Sequence, residues 1–222
     1  MSPITHFFAG WLLASVSPTG RPTALTRREK ALVVAAAVAP DVDGLGIVPE
    51  LLTRHTTHPL LWFSQYHHSL HTLAFALVWT LAAYLIAGPL AGFTLGPKIQ
   101  GQIQGRPLPS HPGLTALLVF ISFHLHLLCD LLGARGPDGY QWPIPYLKPF
   151  SSALQLTWHG QWALNAWQNF LITGLLLLIT LWFAVRYGSS PVDLFSPPAN
   201  QAFIHALRQR FASRRPGNSG TR

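Results

Sequence analysis

Three apolar runs of close to twenty residues, over 68–87, 114–132 and 162–187, constrain this chain more than anything else in it. Each is near the roughly 20 residues a helix needs to cross the hydrocarbon core of a bilayer. They are rich in Leu and Ala and lack the period-two alternation of strands, so they predict helices. Two shorter apolar segments precede them, at 3–16 and 30–39, of a length suited to half-buried, re-entrant or packed helices. Only 10% of the residues are charged, against roughly 25% in soluble domains. The expectation is an all-α integral membrane bundle of about five hydrophobic segments. Eight tryptophans suit the membrane–water boundary, where an indole is half wet.

Helix ends and loops are partly legible. Thr26-Arg27-Arg28-Glu29 has the spacing of a capping box ahead of the second segment. The first segment has the length of a signal-peptide core but no basic start and no small-residue cleavage site, so it is expected to stay in the mature protein. The stretch 92–112 is rich in Gly, Pro and Gln and reads as flexible. The loop 133–160 contains a turn signal at Gly136-Pro137-Asp138-Gly139-Tyr140 and then the stiff Gln141-Trp142-Pro143-Ile144-Pro145-Tyr146, and reads as ordered. Residues 1–190 form one membrane-embedded domain. Residues 191–222 form a basic tail in which Phe203, Ile204, Leu207 and Phe211 share one helical face, the pattern of an interfacial amphipathic helix or of a solvated tail.

The net charge of +8 does not mark a nucleic-acid binder, because the basic residues lie in connecting segments and the tail. The single cysteine, Cys129, excludes an internal disulfide and a thiolate metal site.

Histidines and aspartates carry the chemistry. His6 lies in the first segment, and Asp41 and Asp43 close the second. His67, His68 and His71 open the third, and His124, His126 and Asp130 lie near the end of the fourth. His126 and Asp130 are four apart and share a helix face. His67 and His71 have the same spacing, and His68 and His71 are three apart. His124 sits about 200° around the helix from His126, at ~100° per residue, and points elsewhere.

Threading the segments back and forth brings His6, Asp41, Asp43, His67, His68, His71, His126 and Asp130 to one membrane face. Ionisable groups at membrane depth are costly and usually functional. Imidazole and carboxylate without thiolate suit zinc first, and manganese or iron next, with one or two ions. The expected ligands are His6, Asp41, Asp43, His126 and Asp130, with His67 or His71 completing the shell. His67, His68 and His71 are the expected catalytic group, an unligated His or Asp serving as general base to a metal-activated water. His55, His58, His111, His159 and His205 lie in loops or tail and read as solvent-exposed.

These residues resemble a bacterial family of membrane-bound, metal-dependent hydrolases, the YdjM-like group. The resemblance rests on Ile4-Thr5-His6-Phe7-Phe8-Ala9-Gly10, Ala39-Pro40-Asp41-Val42-Asp43-Gly44, Tyr66-His67-His68-Ser69-Leu70-His71-Thr72 and His126-Leu127-Leu128-Cys129-Asp130-Leu131-Leu132, with Gly136 to Phe150 similar to the family's following loop. It covers roughly residues 3 to 190 and implies a metal-dependent hydrolase. The family's histidine pair is commonly spaced as H-R-x-x-x-H. Here His68 stands at the usual Arg position, which leaves the partner of His71 open. A fainter similarity in ligand order to zinc-dependent phospholipase C enzymes suggests a phosphoester or lipid-linked ester as substrate. The expected partners are the lipid bilayer and a small-molecule or lipid substrate, with the oligomeric state open. A metal or proton transporter would need polar groups continuing through the bilayer, whereas here they gather at one face. A metal-stapled scaffold without catalysis is the third reading.

Basic residues are unequal across the two faces. Arg54, Arg135 and Lys148 lie with the histidines. Arg21, Arg27, Arg28, Lys30, Lys98, Arg106, Arg186 and the five tail arginines lie opposite. The positive-inside rule then places the C-terminus in the cytoplasm and the site on the extracytoplasmic face of the bacterial inner membrane.

Overall fold

A computed structural model describes residues 1–212 apart from 18, 21, 89, 91–101, 104–105, 108–109 and 137–138. The regular secondary structure of the described chain is helical except for a two-residue antiparallel ribbon, β1 (Gln102–Ile103) with β2 (Arg106–Pro107), and three isolated bridges. The helices are α1 (Pro3–Ser15), α2 (Arg27–Val38), α3 (Ile47–Thr53), α4 (Trp62–Tyr66), α5 (Leu73–Ala87), α6 (Pro112–Gly133), α7 (Trp167–Tyr187) and α8 (Pro197–Ala212), with 3₁₀ turns at Pro40–Gly46 and Pro191–Leu194.

Helix starts follow local chemistry. Ser2 caps α1 and Thr72 caps α5, each accepting from a backbone N–H three residues on. The Thr26–Glu29 capping box forms at the start of α2. Glu29 also reaches across the bundle, accepting from the Ser110 hydroxyl at 3.1 Å and the His111 N–H at 2.6 Å, which pins the start of α6 to that of α2.

Of the expected spans, α6 and α7 are long and apolar enough to cross a bilayer; α2 with the segment Pro40–Thr53, bent by 52°, adds a third if counted as one broken span. The segment expected over 68–87 is shorter as a helix. His68 takes a left-handed backbone conformation (φ 74°) and Thr72 caps, so α5 begins at Leu73 and has 15 residues. At 1.5 Å per residue that is about 22 Å, short of the ~30 Å hydrocarbon core. Likewise α7 begins at Trp167, because Trp162 belongs to the preceding loop, where its indole donates to Asn169 Oδ1 at 2.7 Å.

Helix α6 is the centre of the bundle and packs against α1, α2 and α5, while α7 closes on α1. Small residues set the spacing, as is usual where helices pack in lipid. Ala14, Val33, Ala36, Ala83 and Val119 form one fully buried cluster, and Ser122 Oγ donates to the Val33 carbonyl at 2.9 Å. Gly10 lies so close to α2 that a Cβ there would overlap that of Ala37. The outward face of α7 carries exposed Trp167, Phe170, Leu171, Leu178 and Trp182, a surface made for lipid.

The loop after α6 is held by hydrogen bonds, as expected. Asn169 donates to the carbonyls of Gly133 and Leu164, Gln161 donates to that of Asp130, and Ile144 and Leu156 exchange backbone bonds. Pro137 and Asp138 of the predicted turn, most of the predicted flexible linker, and Arg214 and Arg215 of the tail lie outside the described residues. In the tail, α8 forms with Ile204 buried and Phe211 exposed. His55, His58, His159 and His205 are exposed, whereas His111 is half-buried where it precedes α6.

Candidate metal centre

Four elements deliver the site. Helix α1 brings His6, the 3₁₀ turn after α2 brings Asp41 and Asp43, the turns before α5 bring His67, His68 and His71, and the last two turns of α6 bring His126 and Asp130. The 3₁₀ turn forms because Pro40 ends α2 and redirects the chain. Gly46 then allows its end to lie against the backbone of Trp62 and Phe63 at the start of α4; a Cβ there would stand 2.9 Å from Phe63 N.

Asp130 is the hub. It is buried, and three imidazoles converge on it through Nε2: His6 at 3.1 Å to Oδ1, His126 at 3.1 Å and His71 at 3.3 Å to Oδ2. The α-ammonium of Met1 also sits on Oδ1, a positive charge drawn to the same oxygen. The potential ligand atoms of His6, Asp41, His126 and Asp130 all lie within 4.8 Å of one another, and so do those of His68, His71 and Asp130. The two groups share Asp130.

The donor set fits a divalent cation. It is all imidazole and carboxylate. His6 Nδ1, Asp41 Oδ2 and His68 Nδ1 are buried without a hydrogen-bond partner, which is costly unless something else engages those side chains. The Nε2 atoms of His71 and His126 face each other at 3.2 Å. That contact brings the two groups, which meet at Asp130, within hydrogen-bonding distance of each other.

Outer contacts fix the rings. His126 Nδ1 donates to the Ala37 carbonyl at 2.7 Å, so its Nε2 is the free basic nitrogen. His6 stacks on His126 with centroids 3.8 Å apart. Asp43 receives the Leu70 N–H at 3.0 Å, and the same carboxylate oxygen lies at ion-pair distance, 3.5 Å, from His71 Nδ1. Its other oxygen lies 3.1 Å from His67 Nδ1.

The structure thus sorts the predicted residues. His6, Asp41, His126 and Asp130 come together, and His71 joins through Asp130. Asp43 and His67, expected as ligands, form a pair of their own beside the cluster. His68, expected to be catalytic, joins the group with His71 and Asp130. His124 points away, as its helical position predicts, donating from Nδ1 to the Phe120 carbonyl and meeting Tyr146 Oη at 2.9 Å. The Ala37 carbonyl was beyond sequence reasoning, since a backbone acceptor leaves no mark in residue type.

The model of one family, described as YdjM inner membrane protein, matches residues 1–192. The chain belongs to the YdjM inner membrane protein family. No curated protein and no solved structure matches it. Family membership and the apolar helices together make it an integral membrane protein, with its His/Asp cluster inside the region that the family model covers.

Beside the cluster lies a cavity of about 760 Å³, lined among others by Phe63, His67, His68, Trp142 and Lys148. Phe63 stacks on the His67 ring with centroids 4.5 Å apart, and Trp142 meets that ring edge-on. Of the stiff loop 141–146, Trp142 and Pro143 line the cavity, and Tyr146 is turned to His124.

Proposed function

We propose that this protein is a membrane-bound metal-dependent hydrolase acting on a phosphoester or a lipid-linked ester. The observation that carries the reading is the sharing of Asp130 between two potential ligand groups beside a cavity of substrate size. A single carboxylate common to two groups suits a two-cation site, with zinc first among the metals the donor set favours. His6, Asp41, His126 and Asp130 would hold one ion, and His68, His71 and Asp130 a second. Bound there, divalent cations supply Lewis acidity toward a phosphoryl or carbonyl oxygen and lower the pKa of water.

The chain's own residues supply the rest. His67 is the general base in this reading. Asp43 accepts its Nδ1–H and leaves Nε2 as the basic nitrogen of a ring that lines the cavity, the division of labour of an aspartate–histidine dyad. Phe63 and Trp142 hold the ring and exclude water around it. The excess of Lys and Arg on the opposite face supports a site on the extracytoplasmic side of the inner membrane with the C-terminus in the cytoplasm.

Elemental analysis of the detergent-solubilised protein, followed by assay on a panel of phosphoesters and carboxylic esters with and without chelator, tests the proposal. Chelator-sensitive hydrolysis that returns with zinc or manganese is expected. Stoichiometric metal with no hydrolysis of any ester would leave a metal-stapled scaffold in its place.

A further inference from the structure

The cavity beside the metal centre is chemically two-sided. One side is polar and holds the two site histidines. Lys148 is the one Lys or Arg among its lining residues, exposed and without a carboxylate partner. Glu50, the one lining acid, is already engaged: its carboxylate accepts the Ser64 N–H at 2.9 Å and the Ser64 hydroxyl at 2.7 Å. Lys148 is thus the one cationic side chain the lining offers an anion, and the Glu50 carboxylate is turned to Ser64.

The other side opens onto apolar surface. Ile47 and Phe63 line the cavity and belong to α3 and α4. Leu45, Val48, Leu51, Leu61 and Trp62 are exposed there, and Leu52 is 78% exposed. So dense an apolar patch is unfavourable in water. It is also continuous with the membrane-embedded part, because Pro40–Thr53 together with α2 meets the length and hydropathy of a broken membrane span. The same hairpin thus bounds the cavity that Lys148 lines and carries an exposed apolar face.

We infer that this cavity takes the anionic phosphate head group of a membrane lipid, with Lys148 holding the phosphate and the acyl chains leaving across the exposed face of the α3–α4 hairpin. The inference rests on the hydrolase reading for its place in a reaction, and it names the substrate class of that site. It also gives the hairpin its role: the scissile bond reaches His67 and His68 from within the plane of the membrane, without the lipid leaving the bilayer.

Binding tests this separately from turnover. The probe is a phosphonate analogue of phosphatidate, which cannot be hydrolysed at its C–P bond, titrated against the full-length protein in detergent micelles by native mass spectrometry. Lys148→Glu is expected to weaken binding about tenfold, the size of one charge-assisted contact, and Lys148→Arg to bind like wild type. The chain-free head-group phosphonate is expected to bind roughly a hundredfold more weakly than the lipid. Equal metal content in all variants confirms an intact fold. Lys148→Glu binding as tightly as wild type, or the chain-free compound binding as tightly as the lipid, overturns the inference. The expected binding pattern without turnover of the matching phosphate ester supports the lipid site and removes the hydrolase reading alone.

Discussion

His126 Nδ1 donates to the carbonyl of Ala37 across 2.7 Å, and this one bond decides which nitrogen of His126 faces Asp130. The acceptor is available because α2 ends one residue later, at Val38, and its last carbonyls have no partner inside the helix. A helix terminus on one segment thereby sets the tautomer of a candidate ligand on another, the outer-contact control common at metal sites. Loss of an outer contact usually costs roughly 10–100-fold in metal affinity. Loss of a ligand costs more.

The first prediction is that His126→Ala lowers metal affinity by more than about a hundredfold. Asp130→Asn should do at least as much, because Asp130 belongs to both ligand groups. Asparagine keeps the shape and removes the charge, so a folded protein with little metal is expected. Inductively coupled plasma mass spectrometry on the purified variants measures this. Asp130→Asn retaining the wild-type metal content would refute the shared-carboxylate site.

The second prediction separates Asp43 and His67 from the ligands. His67→Gln is expected to keep the metal and to lower kcat by about 10²–10⁴, the usual contribution of a general base. Asp43→Asn should follow it in kcat and also weaken metal binding modestly, because Asp43 lies beside His71 Nδ1 as well. Metal content and steady-state rates on the same samples give both numbers. If His67→Gln lost metal as completely as His126→Ala, His67 would be a ligand after all.

Much of this arrangement was legible in the sequence, for identifiable reasons. Hydropathy and helical spacing depend on residue type, so α6 and α7, the capping box at Thr26 and the turning-away of His124 all followed. So did the meeting of His6, Asp41, His126 and Asp130 at one end of the bundle, because the direction of successive helices alternates. The start of α5 did not follow. Hydropathy cannot register that His68 adopts φ 74°, a conformation rare outside glycine that breaks the helix before Leu73. Nor could spacing tell Asp41 from Asp43. Two residues apart on a 3₁₀ turn, one carboxylate turns to the cluster and the other to His67. Only the placement of α4 against Gly46 decides it.

The third prediction concerns pH. In the metal-free protein, burial opposes the charge on His71, but its partners Asp130 and Asp43 outweigh that and raise its pKa to about 9. Binding a cation requires the neutral ring. The proton must therefore leave, and apparent metal affinity should rise about tenfold per pH unit toward pH 9 and level off above it. Stability of the metal-free protein runs the other way. The ion pair contributes fully below the ordinary histidine pKa near 6.5 and is lost as pH rises through about 9. Competition titrations against a chelator of known affinity from pH 6 to 9 check the first statement. An affinity independent of pH over that range would count against His71 as a ligand.

A fourth prediction tests whether distant packing governs the site. Gly10 is one turn beyond His6 on α1 and abuts Ala37, the residue whose carbonyl holds His126. Valine at position 10 would drive its side chain into Ala37 and the hydroxyl of Ser122, which binds the Val33 carbonyl. Overpacking of this kind typically costs about 1–3 kcal/mol. Relief can come only from moving α1 off α2, which carries His6 away from Asp130 and strains the Ala37–His126 bond together. Gly10→Val is therefore expected to lower both the melting temperature and the metal affinity, although it removes no ligand. Ser122→Ala keeps the helix spacing and loses one hydrogen bond, about 1 kcal/mol, so it should lower the melting temperature alone. Differential scanning fluorimetry with and without added zinc distinguishes the two. A zinc-induced stabilisation as large in Gly10→Val as in wild type would show that the cluster does not depend on how closely α1 and α2 approach.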